Sequence, residues 1–141
     1  MDLDLTSLKS STSSLTRAAN VYQKIRMDTE DENSDLMQTL RAGVIQNFEF
    51  TYEVSWKFMK RWLEKNIGAT AVDGVTRREL FRLAAEHKLI NDVEKWMQFH
   101  DARNRASHTY DENIAGDVFV FAVDFVNYAK DLLAVLEKKN T

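Results

Sequence analysis

The sequence predicts an all-α protein, an antiparallel four-helix bundle with one short additional helix. Three observations lead there. The 141 residues contain no proline and only four glycines, so little in the chain interrupts a helix. Apolar residues recur at helical spacing over long stretches. Capping signals divide the chain near Ser34, Thr76 and Asn91.

A first helix is expected from Leu5 to Arg26, with Leu8, Leu15, Tyr22 and Ile25 on its apolar side and Ala18 and Ala19 between them. The hydroxyl run Ser10 to Ser14 weakens its early part, because short hydroxyl side chains compete for backbone hydrogen bonds. Asp28 to Asp35 is acidic and reads as a solvated loop. It lacks the alternating ligands and central glycine of a calcium loop. Ser34 or Asp35 can cap a long second helix running to about Asn66. One of its stripes is Ile45, Phe48, Tyr52, Trp56, Met59 and Leu63, and another is Phe50, Val54 and Phe58. A helix apolar on two sides must bury both, one against the core and one against a second subunit.

Gly68 and Asp73-Gly74 mark the next turn. Thr76 to Glu79 is a capping box opening a short third helix, and Asn91 to Glu94 a second box opening a fourth. Asn113 is the expected cap of a last helix from Ile114 to about Lys139, with Val118, Phe121, Phe125, Tyr128 and Leu132 as its stripe. Val118 to Val123 (VFVFAV) has the composition of a buried strand. With no partner strand elsewhere and the apolar pattern continuing at helical spacing, helix is the better reading. Trp56 and Trp96 read as core, and Arg77, Arg78, Arg82 and Lys88 as a solvated basic patch.

Length fits one domain over residues 1–141, large enough to bury a core. Hydrophobic content of 44% and charged content of 29% are ordinary for a globular protein. Without cysteine there are no disulfides and no thiolate zinc sites, which suits a cytoplasmic protein. No signal peptide and no membrane-spanning run is evident. A net charge of −3 means that any contact with nucleic acid must rest on a local basic patch.

Chemistry concentrates in Met97 to Asn113 (MQFHDARNRASHTYDEN), which holds two of the three histidines. The segment contains Arg103, four residues, His108, one residue, then Tyr110. This pattern resembles the HEPN superfamily and, with Tyr110, its HepT-type subgroup. The block Arg41 to Lys57 (RAGVIQNFEFTYEVSWK) also looks like that subgroup. The resemblance covers nearly the whole chain. It implies a metal-independent endoribonuclease toxin that uses Arg103 and His108 in a cleft shared by two subunits. It also implies a separately encoded small nucleotidyltransferase as antitoxin, which attaches a nucleotide to Tyr110. No cofactor is implied.

The residues suit that chemistry. A neutral histidine can accept the proton of a ribose 2′-OH, and an arginine can bind the phosphate and stabilise its developing charge. Asn104, Ser107 and His100 are supporting candidates for contacts to RNA or nucleotide. On an ideal helix Arg103 and His108 stand about 140° apart, so the helix must end or distort near Ser107 for them to converge. The bland alternative is a helix-end cluster in which they pair with Asp101, Asp111 or Glu112. Glu49 and Glu53 are weak candidates for orienting the site; the plainer reading is a solvated face with Glu53 paired to Lys57. Arg105 reads as a surface charge or an RNA contact.

Tyr110 could equally pack on the last helix with its hydroxyl bonded. A second functional class also fits: a non-catalytic substrate-binding subunit of a two-component nucleotidyltransferase. The chain itself carries no nucleotidyltransferase signature, neither a Gly-Ser ahead of Asp-x-Asp nor a phosphate-cradling glycine loop.

Overall fold

Five α-helices follow one another in the computed structural model, which describes residues 2–140 and shows no strand among them. They are α1 (Thr6–Met27), α2 (Asp35–Ile67), α3 (Arg77–Glu86), α4 (Val93–Arg105) and α5 (Glu112–Lys139). Short 3₁₀ turns follow α2 (Ala69–Ala71) and α4 (Ala106–His108). The four longer helices form the bundle and α3 is the short addition, as expected. Val118 to Val123 lies inside α5.

Local signals explain most boundaries. The Ser34 hydroxyl accepts the Met37 backbone N–H to start α2, and the Thr76 hydroxyl accepts that of Glu79 to start α3. Two expected caps are displaced. Asp92, not Asn91, caps α4 by accepting the Lys95 N–H. Asp111, not Asn113, caps α5, its Oδ1 accepting from Asn113 and Ile114. In each place an aspartate lies one or two residues from the expected asparagine, and a carboxylate also complements the helix dipole. Gly68 ends α2 at φ 98°, where a side chain would be strained.

The serine-rich start of α1 stays helical throughout. Its hydroxyls bond back along the helix, Ser11 to the Leu8 carbonyl and Thr16 to that of Thr12, so they do not break it.

The core is organised around Phe125 on α5. Phe48 of α2 meets it edge-on at 5.4 Å, Trp96 of α4 at 5.3 Å and Phe99 of α4 at 4.9 Å between ring centroids. Leu8, Leu15 and Tyr22 bring α1 into the same core. Of the two stripes expected on α2, the first is buried except at Trp56, which is half-buried. The second is split: Phe58 is buried, Val54 partly so, and Phe50 is 61% exposed. Tyr52 sits at the edge of the aromatic core, where α2, α4 and the start of α3 meet.

Candidate functional site

One face of α2 carries Glu49, Tyr52, Glu53 and Trp56, spaced three and four residues apart so that they line up. The facing side of α4 carries His100, Arg103 and Asn104 at the same spacing. Packing of Phe99 and Trp96 on Phe125 holds α4 in register with α2.

Arg103 points at the two glutamates. Its NH1 lies 3.5 Å from Glu49 Oε2 and its Nε 3.4 Å from Glu53 Oε1. These are ion-pair contacts without hydrogen-bond geometry, and Nε is buried without a hydrogen-bond acceptor. The side chain is 30% exposed. The guanidinium is therefore oriented by charge while its N–H donors are left unspent. Asp101, Asp111 and Glu112, the partners of the bland reading, are not its partners. Glu53 also takes no part in a pair with Lys57; its other oxygen accepts the Trp56 indole N–H at 3.0 Å.

His100 stands one turn before Arg103. Its Nδ1 is 2.8 Å from the hydroxyl of Tyr52, and its Nε2 is 3.4 Å from Asn104 Nδ2. Burial, then the charge of Arg77, pushes the His100 imidazole below its usual pKa, against the pull of Asp101 and Glu53. Burial raises the Tyr52 phenol well above its ordinary range, so it stays protonated. Arg77 lies with its guanidinium 3.5 Å from the Trp56 ring centroid and its NH1 3.5 Å from the Tyr52 hydroxyl.

His108 and Tyr110 form a separate group on the α4–α5 connection. Helix α4 does end where convergence required, at Arg105, and the 3₁₀ turn that follows carries His108. Both side chains are exposed, Tyr110 by 84%, and the Tyr110 hydroxyl is 3.5 Å from His108 Nδ1. Tyr110 is not packed into α5. It borders a groove of about 270 Å³ shared with Gln38, Arg41, Ala42, Ile45, Thr109 and Glu112. Ser107 is exposed and its hydroxyl bonds the Asn104 carbonyl. Arg105 turns away to pair with Asp117 at 3.0 Å.

The structure thus brings Arg103, Glu49 and Glu53 together, and His100 with Asn104. No hydrogen bond joins Arg103 to His108 among the described residues.

The family described as nucleotidyltransferase substrate binding protein like matches residues 3–138. The chain belongs to that family.

Its relatives agree. A Haemophilus influenzae protein described as a probable ribonuclease HepT is 39% identical over 108 residues, 76% of this chain and 74% of that protein. A solved Haemophilus influenzae structure, described as revealing the fold of a substrate binding domain of a nucleotidyltransferase, superposes with a TM-score of 0.84 at 33% identity. It covers 95% of this chain and 99% of that one. A Thermus thermophilus structure matches with a TM-score of 0.71 at 26% identity, over 92% of this chain and 98% of that one.

This nucleotidyltransferase substrate binding protein-like chain sets three further residues beside the candidate site. Tyr52 and Trp56 read as core, and they are, Tyr52 fully buried and Trp56 half-buried against it; in addition the hydroxyl of the first and the indole N–H of the second bond residues of the candidate site. Arg77 read as part of a solvated patch, but it covers Trp56. Its neighbour Arg78 does lie at the surface, paired with Glu94. The signal in the sequence was the polar tip on each aromatic, at the same spacing as Glu49 and Glu53. Trp96 is core, as expected.

Proposed function

We propose that the chain is a HepT-type toxin, an endoribonuclease restrained by a separately encoded small nucleotidyltransferase. The observation that carries this is Arg103: a guanidinium held against α2 by two carboxylates, with no hydrogen bond of its own, is prepared for a phosphate. In the proposed reaction His108 takes the proton of a ribose 2′-OH, whose oxygen attacks the adjacent phosphorus. The P–O5′ bond breaks, a 2′,3′-cyclic phosphate forms and the 5′-oxygen leaves with a proton from solvent. Arg103 stabilises the charge on the phosphoryl oxygens.

In this reading the cleft that holds Arg103 and His108 is completed by a second copy related by a two-fold axis. Tyr110 is the site of restraint. Its exposed hydroxyl is accessible to a nucleotidyltransferase, and an added nucleotide places bulk and negative charge beside His108.

The test is cleavage of single-stranded RNA by the purified protein. His108→Ala is expected to abolish cleavage and relieve growth inhibition with the fold intact. Cleavage unaffected by His108→Ala ends the ribonuclease reading. Mass spectrometry of Tyr110 after co-expression with the nucleotidyltransferase tests the restraint.

A second reading has its own observation. The groove between Arg41 and Tyr110 offers a cation and an aromatic face for a nucleotide. In that reading the chain is a non-catalytic subunit presenting substrate to the nucleotidyltransferase. It then binds its partner yet shows no His108-dependent cleavage.

A further inference from the structure

Tyr52 is fully buried, and its hydroxyl has one hydrogen to give. Its two polar neighbours are Arg77 NH1 at 3.5 Å and His100 Nδ1 at 2.8 Å. A guanidinium can only donate, so the phenolic hydrogen has a single acceptor, Nδ1. If Nδ1 carried a hydrogen instead, the hydroxyl would receive two donors and its own hydrogen would be buried with no acceptor, a costly arrangement. The proton of a neutral His100 therefore sits on Nε2, at the outer end of the ring.

That end faces a second donor. Asn104 Nδ2 lies 3.4 Å from His100 Nε2, and Arg103 occupies the same face of α4 between them in sequence. With Nε2 protonated, the exposed Asn104 amide either turns its Oδ1 towards Nε2 or keeps Nδ2 there, and in the second arrangement the two N–H donors converge on one acceptor from outside. An oxygen of an anionic group supplies it.

We infer that Arg77, Tyr52 and His100 form a hydrogen-bonded relay that locks His100 as its neutral Nε2–H tautomer, and that His100 Nε2 and Asn104 Nδ2 together bind a phosphate oxygen of an RNA strand beside Arg103. The inference rests on the ribonuclease reading for its ligand, but not for the tautomer. The two imidazoles then have different duties. His108 is exposed, with the Tyr110 hydroxyl 3.5 Å from its Nδ1, and serves in the proposed proton transfer. His100 stays a donor at constant charge and helps hold the strand. Tyr52 and Arg77 are positioning residues that act through His100.

The charged and titratable groups around His100 are Tyr52 and Glu53 of α2, Arg77 of α3 and Asp101 of α4. Glu53 and Asp101 favour a proton on the ring, while burial and Arg77 oppose it with the larger effect.

Two measurements test this. Long-range ¹H–¹⁵N correlation spectra of the full chain report the tautomer of each histidine without any RNA present. His100 is expected as Nε2–H across neutral pH, and Tyr52→Phe is expected to release it into a mixture of tautomers. An Nδ1–H form, or an imidazolium at neutral pH, overturns the relay. The second measurement is affinity for a short 2′-O-methyl oligoribonucleotide, which cannot be cleaved through the 2′ position. His100→Gln keeps an N–H near Nε2 and is expected to bind within a few-fold of the parent. His100→Leu loses that donor and is expected to bind about ten- to a hundredfold more weakly.

Equal loss in both variants, or no loss in His100→Leu, overturns the phosphate contact. Because the tautomer is read in the free protein and affinity is read without turnover, a chain that binds but never cleaves fails the ribonuclease reading alone.

Discussion

The Arg77 guanidinium lies over the face of Trp56, 3.5 Å from the ring centroid, and so clamps the start of α3 onto the middle of α2. The stacked pair also shields the Tyr52 hydroxyl on which His100 depends. Replacing Arg77 with Ala is expected to cost about 1 kcal/mol of stability. Arg77→Lys should lose most of the same amount, because a compact ammonium does not stack as a planar guanidinium does. Urea unfolding followed by tryptophan fluorescence reads both. A lysine variant as stable as the parent would falsify the stacking argument.

The two glutamates around Arg103 are not equivalent. Glu53 also accepts the Trp56 indole N–H, whereas Glu49 pairs only with Arg103 among the described residues. Glu53→Ala is expected to destabilise by about 1 kcal/mol, and Glu49→Ala by a few tenths, since both ion pairs are partly solvated. A double-mutant cycle with Trp56→Phe isolates the indole bond. No coupling between Glu53 and Trp56 would show that bond to be idle.

Capping of α5 separates two neighbours. Asp111→Ala removes the acceptor for the backbone N–H groups of Asn113 and Ile114 and is expected to cost about 1 kcal/mol. Asn113→Ala is expected to be near neutral. Amide exchange at residues 113 and 114 should quicken in the first variant only.

Acid should weaken the fold through His100. Its native pKa is depressed, first by burial, so the unfolded chain binds the proton more readily. Its contribution is complete above the unfolded value, about 6.5, and fades as pH falls through that value towards the lower native one. Thermal melts between pH 7.5 and 5 should show this slope, and His100→Gln should flatten it. An unchanged slope in the variant would assign the effect elsewhere.

Helical architecture was legible from residue spacing and from the scarcity of breakers, because both act locally. The cap positions were legible to within two residues: Asn91 beside Asp92, and Asn113 beside Asp111, are alternatives that local chemistry barely separates. The candidate site was legible only in part. Arg103, His100, Asn104, His108 and Tyr110 stand in one short stretch. Arg77, by contrast, reaches Trp56 across 21 positions of chain and a turn, and no local pattern announces such a contact. Tyr52 and Trp56 sit in an apolar stripe, and apolar periodicity does not report which aromatic tips end up facing a groove.

Helix α2 runs for 33 residues without a break, about 50 Å of rigid rod. Arg41 at the Tyr110 groove and Trp56 beneath Arg77 ride on that single rod, about 22 Å apart along its axis. The rod acts as a ruler: under the proposed function, a strand or nucleotide laid along this face would meet anchor points whose spacing cannot stretch.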